Sequence, residues 1–268
     1  MEYRSISTAG KLTRVLLGVW SALVLLFLIA PILVIVPLSF NAGDELSFPL
    51  AGFSLRWFED FFGSDTWRNA LINSLSIGLG ATIISVVLGT TASLGLNKLG
   101  LRSRQPIQAI VLAPLVVPTV IVGVGIYFVF SELGLTGTYL GLVMAHATLA
   151  VPFQVVTTSA ALANLDARQI WAAASMGAGP VRTFFAVTLP IAAPGIASGA
   201  LFSFSTSLDE IVVTLFLGGP GQRTLPREMF TQAREYLTPT IAAAATVMIV
   251  FSIALLLGFL LLRNREAT

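Results

Sequence analysis

The sequence predicts an all-α transmembrane fold of six helices, and three observations predict it. The 268 residues are 56% hydrophobic and only 10% charged, whereas a soluble domain carries about 25% charged residues. The charges cut the chain into six uncharged runs, 15–40, 69–97, 105–131, 133–165, 183–208 and 236–262. Each supplies the roughly 20 residues that cross a hydrocarbon core, and each is continuously apolar rather than alternating, which argues against a β-barrel. The third observation is charge asymmetry. One set of loops and tails holds Arg4, Lys11, Arg14, Lys98, Arg102, Arg104, Arg168, Arg182, Arg263 and Arg265 against Glu2, Asp166 and Glu266. The opposite set holds Arg56, Arg68, Arg223, Arg227 and Arg234 against Asp44, Glu45, Glu59, Asp60, Asp65, Glu132, Glu228 and Glu235. The positive-inside rule then places both termini and the 166–190 loop in the cytoplasm. It also makes the basic residues topology signals rather than a nucleic-acid patch.

Residues 1–14 read as a short cytoplasmic tail and 15–40 as the first transmembrane helix. That run is too long for a signal-peptide core and lacks a small-residue cleavage site, so it is expected to stay as a span. The external segment 41–68 is acidic and aromatic, with Phe53, Trp57, Phe58, Phe61, Phe62 and Trp67. It suits either an interfacial helix or a simple aromatic belt. Residues 69–262 form the core, with five further helices. The second span opens on Asn73 and Ser74, which can hydrogen-bond between helices. Its Gly78, Gly80, Gly89 and Gly95 permit close helix approach. Lys98–Arg104 is a short basic loop. The third span carries Pro114, Pro118, Gly123 and Gly125, and proline inside a span bends it. The fourth carries His146, Pro152, Gln154, Thr157 and Thr158. With one histidine and no cysteine, no metal site, disulfide or thiol chemistry is expected, and no internal repeat is evident.

Asp166–Pro190 is the longest stretch in the second half that does not read as a span. Ala167–Met176 is alanine-rich and should be helical. Gly177 and Gly179 interrupt it, and Pro180 suits the first position of a second short helix. Leu189-Pro190 should end that helix, with Pro194-Gly195 opening the fifth span. The plain reading is a loop joining two spans. The small residues Ala172, Ala173, Ala174 and Ser175 and the glycine break favour a compact docking knob.

The fifth span leads through Ser203, Ser205, Thr206 and Ser207 into Asp209-Glu210. Two adjacent carboxylates in an apolar run are costly and mark a functional hypothesis. They either face a cavity that meets a cationic substrate or pair with a basic group on a neighbouring helix. Adjacent helical residues point about 100° apart, so one of the two should face the pathway. Ser205, Ser207, Gln154 and Thr157 are weaker polar candidates for its lining. Loop 218–239 reads as external, the sixth span follows Pro239, and 263–268 is a cytoplasmic tail.

The 166–190 stretch resembles the EAA loop of ABC-importer permeases, whose pattern is E-A-A, three residues, Gly, nine residues, Ile, one residue, Leu-Pro. Ala172, Ala173, Gly177, Leu189 and Pro190 match, Val187 stands for Ile, and Trp171 occupies the Glu position. Tryptophan offers a large apolar anchor with one N–H donor in place of a charge. Docking then uses altered contacts or takes a carboxylate from nearby Asp166. The run from Phe204 through Asp209-Glu210 to Gly218-Gly-Pro-Gly-Gln-Arg-Thr-Leu-Pro is similar to the second, C-type subunit of spermidine/putrescine permeases.

What the resemblance implies is a six-helix MetI-like type I importer permease, working with a cytoplasmic ABC ATPase dimer, a second permease subunit of different sequence, an external solute-binding protein and membrane lipid. ATP and Mg would be bound by the ATPase, because this chain has no G-x-x-x-x-G-K-[ST] motif. It is not expected to be an enzyme and carries no cofactor or nucleic acid of its own. The implied cargo is a polyamine or related organic cation. Opine, phosphonate or iron import by the same machinery is the alternative. An ion-coupled secondary transporter is a further one; it predicts inverted repeats, and none is evident. A membrane scaffold would leave Asp209 and Glu210 unexplained.

Overall fold

A computed structural model describes residues 8–265. The tail residues 1–7 and 266–268 lie outside the described residues. Helix α1 runs Thr8–Leu38 and α12 runs Thr240–Arg265, so helix begins and ends inside the stretches read as polar tails. Between them lie α2 (Arg56–Gly63), α3 (Asp65–Lys98), α4 (Leu101–Val116), α5 (Thr119–Glu132), α6 (Tyr139–Leu162), α7 (Ala167–Ser175), α8 (Pro180–Thr183), α9 (Leu189–Leu208), α10 (Val212–Leu217) and α11 (Leu225–Glu235). Five helical segments are long and apolar enough to cross a membrane. The third run is broken: α4 and α5 meet at 105° across Val117-Pro118, the geometry of a broken span or a re-entrant loop, so the count of spans is five, or six with this pair as one. Proline disfavours helix at the residue before it, so the break falls at Pro118, while Pro114 stays inside α4.

The core is a bundle of α3, α6 and α9. Helices α3 and α6 run parallel, because Gly80 meets Val143, Gly89 meets Gln154 and Ser93 bonds the Val155 carbonyl. Helix α9 runs antiparallel to both. Gly199 meets Gln154, Ser203 approaches the Ala150 carbonyl and Ser207 meets His146. The seam is closed by small side chains and hydroxyls, among them Ser85 Oγ 2.8 Å from Ser203 Oγ. Lipid supplies no hydrophobic drive between helices, so close backbone approach and polar contacts must hold them. Gln154 shows how tight the fit is. It is fully buried, and a Cβ on Gly89 would lie 2.6 Å from its side chain.

Helix α1 is different. None of its apolar window is buried within the chain, and Trp20 and Phe27 are 67% and 77% exposed. Such a surface belongs in acyl chains or against another subunit. At the end opposite the α7–α8 hairpin, a second cluster joins Phe61, Trp67, Ala70, Leu225 and Ala244. The 41–68 segment is therefore part helix and part belt. Helix α2 buries Phe61, while Phe53 and Phe62 stay exposed. Thr240 Oγ1 donates to Asp60 at 2.7 Å and ties α2 to the start of α12.

Candidate functional site: a broken span and a capped hairpin

Helix α9 stops at Leu208 and α10 starts at Val212. The register along α6 places the gap. Ser207 and Thr214 both meet His146, two turns into α6, and Gly137 N–H donates to the Leu217 carbonyl at 2.7 Å beside the start of α6. Residues 209–211 therefore lie within the length of α6, near its end away from the hairpin. The two carboxylates diverge there. Asp209 is exposed, in line with exposed Ser205 and Phe202 and half-buried Ser198 on one face of α9. Glu210 is half-buried, and its Oε1 accepts the Val213 N–H at 2.8 Å. It caps α10, satisfying a backbone donor that lipid would leave unpaired. A carboxylate such as Asp209 is too costly to set against acyl chains, so its face must meet water, a cavity or another subunit.

The remaining predicted lining residues separate. Ser207 is buried against His146. Gln154 and Thr157 lie farther toward the hairpin end, where both crowd Gly199. Gln154 Nε2 donates to Thr158 at 2.9 Å and to the Ile196 carbonyl at 3.3 Å. It is a strut between helices and lines no surface. Among the described residues, no group of three or more carboxylate or imidazole side chains has the arrangement to hold a metal.

Asn73 and Ser74 make the expected contacts between helices, to Tyr139 of α6 and to Leu225 of α11, and Asn73 also holds a loop. Asn73 Nδ2 donates to the Gly221 and Arg223 carbonyls at 3.0 and 2.9 Å, and Ser74 Oγ accepts the Leu225 N–H at 2.7 Å. Tyr139 lies 2.9 Å from Asn73 Oδ1. Glu228, fully buried, pairs with Arg223 at 3.1 Å. Sequence reasoning missed this pair; the only signal was an acid in the first turn of α11. The 218–224 loop and the first turn of α11 are thereby fastened to the start of α3.

The second candidate is the hairpin. Asp166 caps α7, accepting the Arg168 N–H at 2.9 Å. That employs the carboxylate proposed to stand in for the missing Glu. At the other end Gly177 has φ +80°. Gly177 N–H donates to the Ala174 carbonyl at 2.9 Å and Ala178 N–H to the Ala173 carbonyl at 3.0 Å. This is a Schellman cap, and its left-handed residue is normally glycine. Gly179 and Pro180 then start α8 as predicted. Leu189-Pro190 does not end the helix. Phe184–Thr188, which includes Val187, is a π-helical stretch that runs into α9. A wider turn relieves the clash and missing N–H that proline imposes on the residue four before it. The result is one helical rod from Pro180 to Leu208. Ala173 is buried, while Trp171, Met176, Val181 and Phe185 are exposed. Trp171 thus presents its indole outward.

Comparison with known proteins agrees with this architecture. Residues 85–265 match the family described as "Binding-protein-dependent transport system inner membrane component". The chain is 32% identical over 229 residues to the spermidine/putrescine transport system permease protein PotC of Haemophilus influenzae, covering 85% of this chain and 89% of that one. It is 35% identical over 241 residues to the putrescine transport system permease protein PotI of Escherichia coli, covering 86% and 85%. A chain of a bacterial ABC transporter that imports the acidic polysaccharide alginate superposes with TM-score 0.72 at 17% identity, over 96% of this chain and 98% of that one. The bundle of spans, the hairpin between α6 and α9 and the family match converge: this chain belongs to the inner-membrane permease components of binding-protein-dependent transport systems.

Proposed function

We propose that this permease carries a polyamine, spermidine or putrescine, inward across the membrane. Both termini and the hairpin face the cytoplasm, where the hairpin docks on an ATPase dimer that binds and hydrolyses ATP. A second permease chain completes the pathway, and a solute-binding protein delivers cargo to the face that carries the 218–239 loop. The observation that carries the reading is Asp209. It is an exposed carboxylate with no hydrogen bond or ion pair drawn to it among the described residues, at a break in a membrane helix. An ammonium group passing such a site exchanges part of its hydration for a charge-assisted hydrogen bond. The names of the PotC and PotI relatives support the cargo, and the charge asymmetry supports the orientation.

The test is uptake by the reconstituted complex with competition by unlabelled polyamines. Asp209→Asn should lower spermidine uptake about tenfold or more, the scale of a lost hydrogen bond to a charged group, with the complex still assembled. Glu210→Gln should act mainly through the α10 cap and lower it less. Uptake untouched by polyamine competitors, or unchanged in Asp209→Asn, would sink the assignment.

A further inference from the structure

One side chain reaches across the gap in the fifth span. His146 is the single histidine of the chain and is 1% exposed. Its Nδ1 lies 2.7 Å from Ser207 Oγ in the last turn of α9, and its Nε2 lies 3.0 Å from Thr214 Oγ1 in the first turn of α10. A helix that stops for three residues loses the backbone ladder that would fix the angle between its halves. Here the imidazole holds both halves from α6, and the Glu210 side chain closes the start of α10 from within. The hydroxyls suit the Nε2–H tautomer. Nε2–H donates to Thr214, the Thr214 hydroxyl donates to the Glu210 carbonyl 3.3 Å away, and the Ser207 hydroxyl donates to Nδ1.

We propose that His146 is a positioning residue for the carboxylate pair. By clasping Ser207 and Thr214 it sets the angle at residues 209–211. It thereby keeps Asp209 on the exposed face and Glu210 turned in as the cap. The consequence for transport rests on the reading of Asp209 as the cation contact; the clasp itself does not. Each arm holds one helix end, while Val213 and Leu217 pack α10 into the core, so cutting either arm should loosen the gap without detaching α10.

The chain contains no cysteine, so a single Ile211→Cys substitution reports on the gap when maleimide labelling is read on this chain within the assembled, reconstituted importer. Adding His146→Phe should raise the labelling rate about threefold to tenfold, the population change expected for lost interhelical hydrogen bonds. The same measurement is then made as a cycle with Ser207→Ala and Thr214→Val. Each should raise labelling when His146 is present, and neither should do so in the His146→Phe background. Two polar variants extend the test if His146→Phe does not assemble. His146→Asn places its amide near the Nδ1 position, so it should retain sensitivity to Ser207→Ala and lose sensitivity to Thr214→Val; His146→Gln should do the reverse. Labelling unchanged by these substitutions, or Ser207→Ala and Thr214→Val adding independently of His146, would overturn the clasp. Normal transport by Asp209→Asn beside raised labelling in His146→Phe would instead remove the cation reading and leave the clasp standing.

Discussion

Two glycines in this chain serve opposite needs. Gly199 sits where α9 crosses α6, and a Cβ there would overlap Gln154 Oε1 and Thr157 Oγ1. Gly177 ends α7 with nothing within 4 Å of where a Cβ would be, but with φ +80°. The first is glycine because there is no room. The second is glycine because of its backbone angle, with open space around it. The core is built against movement between its helices, whereas the hairpin is a shaped, exposed knob whose surroundings this chain leaves vacant.

Three substitutions break or sharpen that contrast, in descending size of effect. Gly199→Val should be the most damaging. Overpacking costs about 1–3 kcal/mol or more where neighbours cannot yield, and here the neighbours are a buried strut and its own helix turn. Thermal unfolding of the detergent-solubilised chain should show a large loss of stability and poor recovery from the membrane; a normal melting curve would mean that the crossing is not tight. Gly177→Val should cost about 1–2 kcal/mol of local conformational strain while leaving membrane insertion intact. Substrate-stimulated ATPase activity and uptake should fall together, and Gly177→Asn, which tolerates the left-handed region better, should retain more of both. Equal behaviour of the valine and asparagine variants would count against the cap as the reason for glycine. Trp171→Ala should change stability by no more than about 0.5 kcal/mol, as exposed substitutions usually do, while weakening recovery of the ATPase with this chain. Undiminished co-purification would remove the indole from the docking surface.

The spans were legible because hydropathy along the chain has only one physical outlet, a helix whose backbone is satisfied internally. The hairpin was legible because its cap chemistry is local: Asp166, Gly177 and Pro180 each act on residues within a turn of themselves. What escaped was set at a distance or by relief of a local rule. Asn73 has its loop partners 148 and 150 residues away in sequence, and no pattern in α3 announces them. Gln154 is polar in sequence and a buried strut in space, because two glycines on different helices close over it. Pro190 looked like a terminator because the preceding π-helical turn that accommodates it has no sequence signature of its own. The 100° rule does not govern Asp209 and Glu210, because both lie in the gap between α9 and α10, and which of them turns inward depends on where α10 begins.

The uninterrupted rod from Pro180 to Leu208 has a mechanical consequence. Twenty-nine residues of helix make a lever about 43 Å long, so a tilt of about 10° at the hairpin displaces the far end by about 7 Å. The far end is the gap at Asp209. A nudge at the knob therefore arrives at the carboxylates as a displacement of several ångströms, unless the π-helical turn at Phe184–Thr188 flexes first. That turn sets the stiffness of the lever, and with it how much of a push on one face of the membrane reaches the other.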